Sequence, residues 1–205
     1  MASDSVGGLH PTWKVLLVGG ASGTGKTSLS YPLAVRLGVP IVEVDDIVEA
    51  LLAMTTPDEQ PALHYWSTHP EAARLPRDGI LELHLGVAES LAPALAAVVA
   101  NHLETDTPVI IEGDYLVPGF AARDQFQDVA ADGRVRSIFL HEPDLRQLIA
   151  NYSGREPDDG EQSLRANMSV LFGEWLAAEA ALHGVPIIRA RPWSSLERRV
   201  LEVVG

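Results

Sequence analysis

One eight-residue loop, GASGTGKT at residues 20–27, constrains this chain more than any other stretch. It follows the apolar run VLLV and fits G-x-x-x-x-G-K-[ST], the pattern of a loop whose backbone N–H groups hold phosphate. Glycine is needed because the N–H groups converge on phosphate oxygens only where φ is positive and no Cβ intervenes. A chance glycine turn is a poor alternative, because an apolar strand pattern precedes the loop and a helical pattern follows it. The loop predicts nucleotide binding without deciding the reaction.

Each residue of this loop has an expected task. The helix that begins near residue 25 directs its positive N-terminal dipole at the bound phosphates. Lys26 is expected to reach the β- and γ-phosphates as a catalytic residue, and the Thr27 hydroxyl is placed to coordinate Mg²⁺. The predicted nucleotide-binding residues are Gly20, Ala21, Ser22, Gly23, Thr24, Gly25, Lys26, Thr27 and Ser28.

Strand-like and helix-like segments alternate along the chain, which predicts an α/β fold with a five-stranded parallel sheet and helices on both faces. Apolar, β-branched runs predict strands at residues 13–19, 39–44, 108–114, 134–140 and 185–190. Helical spacing predicts helices at residues 25–37, 46–54, 79–103, 121–131, 143–152, 160–183 and 194–203. With 205 residues and 46% hydrophobic content, the chain is expected to form one domain over residues 1–205.

Carboxylates follow the second and third predicted strands, at the sheet edge where parallel α/β folds bind ligands. Asp45 is expected to accept a proton from a substrate hydroxyl or to hold Mg²⁺, and Asp46 is a candidate for substrate contact. The structural alternative for either aspartate is a helix N-cap. Glu112 is a candidate for Mg²⁺ and substrate, or for orienting the phosphate loop. Asp114 is a candidate for substrate contact, with ordinary solvation as the alternative.

Transfer of a phosphoryl group needs more positive charge than Lys26 supplies. Residues 143–162 follow the fourth strand and contain Arg146 and Arg155, and Arg165 comes shortly after. Arg155 lies in the glycine-containing stretch SGREPDDG, which is typical of a lid that closes over a nucleotide. We therefore expect Arg155, and then Arg146, to act on the γ-phosphate. The alternative for each arginine is an exposed surface position.

An aromatic, proline-punctuated segment at residues 63–78 is predicted to be an irregular insertion on the acceptor side. His64 and Tyr65 are its candidate substrate residues. The alternative is ordinary packing of Tyr65 and Trp66 against the long helix that follows. The histidines of the chain lack a zinc-binding spacing.

Charge and composition narrow the classes of partner. The net charge of −13 disfavours binding to nucleic acid or to an anionic membrane. No cysteine is present, so disulfides and thiolate metal sites are excluded. The first residues lack a secretory signal pattern, which fits a cytoplasmic protein. The apolar stretch at residues 86–103 contains Glu89 and Pro93 and is predicted to be a buried helix rather than a membrane span.

Three segments together carry a resemblance to a known family: GGASGTGKTSL, IVEVDDIVEAL and PVIIEGDYLVPGF. They resemble successive motifs of the P-loop kinases around 2-phosphoglycerate kinase, over about the first 120 residues. Chloramphenicol phosphotransferase and shikimate kinase are similar in the loop and the strand-two aspartate. The resemblance implies a P-loop NTPase fold with the strand order of nucleoside-monophosphate kinases. It also implies the base or Mg²⁺ role for Asp45 rather than Asp46. The related kinases often have His where Asp114 and Tyr115 stand, so the acceptor is expected to differ.

The favoured function is therefore transfer of the γ-phosphoryl group of ATP, with Mg²⁺, to a hydroxyl of a small metabolite or antibiotic, by a monomer or homodimer. The alternative is a P-loop ATPase or a nucleotide-binding regulatory protein without a small-molecule acceptor. A GTPase is disfavoured because the sequence has neither an N-K-x-D nor a D-x-x-G motif in the expected place. An AAA-type subunit is disfavoured because the strand VIIEGD does not end in Asp-Glu.

Overall fold

A computed structural model of the protein describes residues 11–71, 75–160 and 162–205. Residues 72–74 of the predicted insertion, residue 161 of the predicted lid and the N-terminal residues 1–10 lie outside the described ranges. The strands are β1 (Val15–Gly20), β2 (Ile41–Glu43), β3 (Val109–Glu112), β4 (Gln125–Phe126), β5 (Val129–Ala130), β6 (Val135–His141) and β7 (Ile187–Arg189).

The main sheet has five parallel strands in the order β2-β3-β1-β6-β7. This confirms the predicted five-stranded parallel sheet. β1 lies at its centre and is buried along its whole length, which explains why its sequence VLLVGG carries no polar side chain. The phosphate loop leaves the carboxyl end of this central strand and is therefore flanked by the carboxyl ends of β3 and β6.

Eight α-helices are described: α1 (Lys26–Leu37), α2 (Val44–Met54), α3 (Tyr65–Thr68), α4 (Arg77–Glu104), α5 (Pro118–Ala121), α6 (Leu145–Arg155), α7 (Ser163–His183) and α8 (Leu196–Val204). Successive residues of β1 point to opposite faces of the sheet. Val15 and Leu17 pack in a core cluster with α4 and α7. Leu16 and Val18 pack in a second cluster with α1 and α8. Helices thus cover both faces, as the alternating sequence pattern predicts.

Helix α4 is the one described helix whose length and hydropathy would suffice to cross a membrane. Its residues Leu91, Leu95 and Val99 recur at helical spacing and are buried in the larger core cluster. This packing explains the apolar composition of the helix within a folded domain, in line with the predicted core helix. Pro93 lies inside the helix.

The prediction of a helix at residues 121–131 is wrong. A single helical turn, α5, ends at Ala121, and the antiparallel pair β4–β5 follows it. The turn between these strands places Gln127 at φ 49°, a left-handed conformation that interrupts a helix. Phe126 is fully buried, and its ring lies 5.3 Å from that of Phe120. Tertiary packing of one aromatic side chain therefore outweighs the local helical pattern.

Strand β2 is shorter than predicted and ends at Glu43. Helix α2 begins at once with Val44, so Asp45 and Asp46 lie in its first turn and do not close the strand. Acidic side chains are favourable there because they face the positive end of the helix dipole.

Candidate active site

The carboxyl ends of the central strands open into one large cleft of about 790 Å³. Residues from the whole length of the chain line it: Ser22, Gly23, Thr24, Gly25, Lys26, Thr27, Ser28, Glu43, Asp45, Glu112, Gly113, Asp114, Asn151, Arg155, Arg165, Arg191 and Trp193. We call it the main cleft. Seven of the nine predicted nucleotide-binding residues border it. Gly20 and Ala21, the first two residues of the loop, are buried and do not line the main cleft.

The phosphate loop has the backbone that its sequence predicts. Gly23 and Gly25 take φ of 78° and 94°, in the left-handed region. A Cβ on Gly25 would lie 2.6 Å from the ring of Trp193, so a larger residue would also displace that ring. The carbonyl of Ala21 accepts a hydrogen bond from Thr24 Oγ1 at 2.8 Å. The positive φ values and these contacts define the conformation of the loop, and Ser22 to Ser28 line the main cleft.

Lys26 is buried and forms an ion pair with the carboxylate of Asp114. Its Nζ also donates to the carbonyl of Ala21 at 3.2 Å. Burial opposes ionisation of Asp114, but the charge and hydrogen bond of Lys26, with smaller contributions from His84 and Ser22, outweigh it. The pKa of Asp114 therefore lies below its usual value. The structure thus places Asp114 in the site, paired with the lysine rather than solvated.

Thr27 and Glu112 form the second polar pair of the loop. The Thr27 hydroxyl donates to Glu112 Oε1 at 2.8 Å, and both residues line the main cleft. Burial raises the pKa of Glu112, and the bond from Thr27 and the charge of Lys26 only partly offset this. A hydroxyl and a carboxylate side by side are the oxygen ligands that Mg²⁺ prefers. These two residues therefore fit the predicted metal role.

The two adjacent aspartates of α2 differ in their position relative to the main cleft. Asp45 lines the main cleft, and its pKa is raised by partial desolvation and then by the charge of Asp114, while Lys26 acts in the opposite direction. Both residues are exposed, but Asp46 does not line the main cleft. The predicted substrate role of Asp46 therefore has no support from the geometry, because successive side chains of a helix point about 100° apart.

Three arginines line the main cleft: Arg155, Arg165 and Arg191. The carboxylate of Glu156 binds Arg155 Nε at 2.8 Å and also pairs with Arg165. Arg146, predicted as catalytic, is exposed and does not line the main cleft. It lies in the first turn of α6, where its backbone N–H donates to the capping Asp144 at 2.9 Å. The prediction for Arg146 is not supported, because the end of α6 near the loop is its carboxyl end.

The segment after β7 contributes side chains that the sequence analysis missed. Arg191 and Trp193 line the main cleft, and Trp193 lies beside Gly25. Asn151 of α6 donates to the carbonyl of Gly23 at 2.8 Å and so attaches that helix to the loop. The signal for Arg191 and Trp193 was available, because they follow the carboxyl end of a parallel strand.

The predicted insertion residues His64 and Tyr65 do not line the main cleft. His64 is buried, and its Nε2 lies 3.0 Å from the Thr55 hydroxyl. The ring of Tyr65 stacks on His69 with 4.2 Å between centroids. Both side chains contact residues close to them in the sequence. The expected alternative was packing of Tyr65 and Trp66 against the long helix, and of these two Trp66 packs against the core cluster that contains residues of α4.

Sequence comparison finds relatives that are named 2-phosphoglycerate kinase. No family model matches the chain. The chain is similar to a 2-phosphoglycerate kinase of Methanococcus maripaludis strain C7, with 25% identity over 202 residues. That alignment covers 93% of this chain but 64% of the relative. The chain thus spans less than two thirds of the length of this curated relative.

Solved structures of small-molecule kinases share the architecture. A shikimate kinase from Acinetobacter baumannii, in complex with shikimate, superimposes with a TM-score of 0.54 at 15% identity, covering 95% of this chain and 94% of that one. A gluconokinase from Sinorhizobium meliloti gives a TM-score of 0.52 at 19% identity, covering 95% and 93%. The fold is that of a small P-loop kinase. The resemblance inferred from the three sequence motifs is confirmed at this level.

Proposed function

We propose that this protein transfers the γ-phosphoryl group of ATP to a hydroxyl group of a small molecule. The observation that carries the proposal is the convergence of the phosphate loop, the carboxylate of Asp45 and three arginines on one cleft. A phosphate-binding loop alone serves many reactions, whereas a carboxylate and several cations beside it supply what phosphoryl transfer to a hydroxyl needs. The 2-phosphoglycerate kinase relatives support the same class of reaction.

In this reaction the acceptor oxygen forms a bond to the γ-phosphorus, and the bond from that phosphorus to the bridging oxygen of ADP breaks. ADP leaves with the electron pair, and the proton of the acceptor hydroxyl passes to the carboxylate of Asp45. Charge develops on the transferring group, and Lys26, Arg155 and Arg165 lie where they can neutralise it. The ion pair between Lys26 and Asp114 must loosen so that Lys26 can face phosphate.

We assign Thr27 and Glu112 as the ligands that would hold Mg²⁺, because their oxygens are adjacent at the cleft wall. When bound, the metal supplies Lewis-acid neutralisation of the phosphate oxygens. Burial raises the pKa of Glu112 and so disfavours its ionised form. A bound cation would favour the ionised form again, which fits the assignment.

We assign Trp193 and Arg191 to the nucleoside part of ATP. Both line the main cleft on the side of Gly25, and the guanidinium of Arg191 lies 5.9 Å from the Trp193 ring centroid. Aromatic rings and guanidinium planes stack on nucleobases without strong sequence preference. In the proposed arrangement, the base lies beside the segment after β7 and the γ-phosphate lies toward Asp45.

The test measures ADP formation by the wild-type chain and by Asp45→Ala with a panel of hydroxylated metabolites and antibiotics. We expect ATP consumption that depends on the acceptor and yields a phosphorylated product detectable by mass spectrometry. ATP hydrolysis that no acceptor stimulates would favour the ATPase alternative. Full transfer by Asp45→Ala would overturn the role of Asp45.

A further inference from the structure

A second, smaller cavity of about 150 Å³ adjoins the main cleft. It lies between α4, α6 and α7, and Ser22 and Arg165 line both spaces. We call it the α4–α7 cavity. Its described walls are mostly apolar, formed by Ile80, Leu81, Met168 and Phe172.

One polar atom in this wall stands out. His84 Nε2 is shielded from solvent and has no hydrogen-bond partner among the described residues. The imidazole is held edge-on against Phe172 at 4.3 Å and stacked on Tyr115 at 4.6 Å, so the ring cannot swing away to find a partner. A buried polar atom without a hydrogen-bond partner lowers the stability of the fold. Such an atom in a native structure calls for an explanation, and one explanation is a ligand that supplies the missing hydrogen bond.

The other polar side chains of the wall are already engaged. The Ser169 hydroxyl bonds to the Tyr152 hydroxyl at 2.7 Å, Ser22 interacts with the carboxylate of Asp114, and Arg165 pairs with Glu156. Burial lowers the pKa of His84, with Asp114 acting in the opposite direction, so the neutral ring presents an acceptor nitrogen or a single N–H. Among the described lining residues, His84 Nε2 is thus the one buried side-chain polar atom without a hydrogen bond.

The size of the α4–α7 cavity limits its occupant. An apolar cavity of about 150 Å³ is large enough for a benzene ring. Such a group would reach the main cleft at Ser22, next to the phosphate loop and Arg165. A phosphate and a carboxylate on one small carbon skeleton would instead need several cationic partners in the cavity, and Arg165 is the one lysine or arginine in its described wall.

We propose that the α4–α7 cavity holds the body of the phosphoryl acceptor, and that the acceptor is a compact alcohol with an apolar ring or branched skeleton. His84 Nε2 makes a hydrogen bond with a polar group of this molecule. The inference rests on the proposed kinase function and narrows its substrate class. On this proposal, the acceptor of this chain differs from the substrate for which its 2-phosphoglycerate kinase relatives are named.

The first experiment uses ligand-observed NMR with benzyl alcohol, toluene and 2-phosphoglycerate as probes of the full chain. We expect the wild type to bind benzyl alcohol about tenfold more tightly than toluene, because of the bond to His84. His84→Phe keeps the ring packing and removes both nitrogens, so it should abolish that preference. His84→Gln offers an amide near the position of Nε2 and should restore part of it. His183→Phe, an exposed histidine of α7, is the matched control and should behave as wild type.

The second experiment fills the cavity. Met168→Trp should abolish binding of both ring probes and phosphorylation of ring-bearing alcohols, while the matched Met54→Trp, at a position 81% exposed, should leave both unchanged. Binding of a fluorescent ATP analogue should be the same in all these variants. Failure of the wild type to bind that analogue would overturn the proposed function. Normal nucleotide binding with phosphorylation of 2-phosphoglycerate that Met168→Trp leaves intact would overturn the acceptor assignment alone.

Discussion

The two ends of the binding region are built in different ways. At the donor end, one contiguous loop supplies backbone N–H groups, Lys26 and the Thr27 hydroxyl, and the side chains of Thr24, Lys26 and Thr27 all have hydrogen-bond partners. At the acceptor end, α4, α6 and α7 supply an apolar wall with one unpaired nitrogen on His84. If the proposed function holds, the donor end accepts polyphosphates through the common loop motif, so discrimination between acceptors must come from the side chains of the proposed acceptor end.

The largest effect is expected at the donor end. Lys26→Met should lower the rate of phosphoryl transfer by at least about 10²–10³-fold, because it removes a fixed positive charge from the transferring group. Lys14→Met is the matched control, since Lys14 pairs with a carboxylate that is 69% exposed. Steady-state ADP formation checks both variants. Retention of more than a tenth of wild-type activity by Lys26→Met would contradict the donor assignment.

At the junction of the two ends, Asp45→Asn should lower kcat by about 10²–10⁴-fold, because it removes the proton acceptor. Asp46→Asn changes the neighbouring exposed residue and should have no effect. Because the pKa of Asp45 is raised above 3.8, wild-type activity should fall as pH decreases through that raised value. The residual activity of Asp45→Asn should lack this acidic limb in a pH–rate profile. An equal loss of kcat in Asp46→Asn would contradict the assignment of proton transfer to Asp45 rather than to Asp46.

A moderate effect is expected for the contact with the nucleoside. Trp193→Ala should raise the KM for ATP by about tenfold or more, since one stacked base contributes about 1–3 kcal/mol. The kcat should change little, because Trp193 is assigned to the nucleoside and not to the transferring phosphoryl group. Trp193→Phe retains an aromatic ring and serves as the control. Titration of a fluorescent ATP analogue gives the affinities directly. An unchanged affinity in Trp193→Ala would contradict the assignment of Trp193 to the nucleoside.

The smallest effect concerns stability. The folded state raises the pKa of Glu112 above 4.5, so it binds a proton more readily than the unfolded chain. The ionised carboxylate therefore destabilises the fold as pH rises through that raised pKa. Glu112→Gln should increase the free energy of unfolding at pH 7 by less than about 2 kcal/mol, at the expense of activity. This gain should disappear below pH 4.5. Urea denaturation at several pH values tests this, with the exposed Glu49→Gln as control.

The donor end could be predicted from the sequence because most of its functional residues are adjacent in the chain. Lys26, Thr27 and the loop glycines follow from one motif, and Asp45 follows from its place after a strand. The acceptor end could not, because Arg165 and Met168 approach His84 only when α7 packs against α4. His84 did interrupt the apolar stripe of α4, and this was the one local signal of the cavity.

The same reason explains why some predicted site residues do not line the main cleft. Arg146 and Arg155 lie on one helix, and only the end of α6 that Asn151 attaches to Gly23 reaches the main cleft. Sequence spacing cannot show which end of a helix approaches a loop 128 residues away. His64 and Tyr65 have the residue types of a binding site, but their partners are their own neighbours in the chain.

The charge of the main cleft has a consequence for the speed of encounter with the nucleotide. Four acidic residues described in its wall, Glu43, Asp45, Glu112 and Asp114, face four basic ones, Lys26, Arg155, Arg165 and Arg191. A polyphosphate approaching a chain of net charge −13 is therefore repelled at long range and finds no excess positive field at the entrance. Added salt shortens the Debye length to about 8 Å at 0.15 M and weakens that repulsion. The association rate of ATP should consequently rise with ionic strength, the reverse of electrostatic steering.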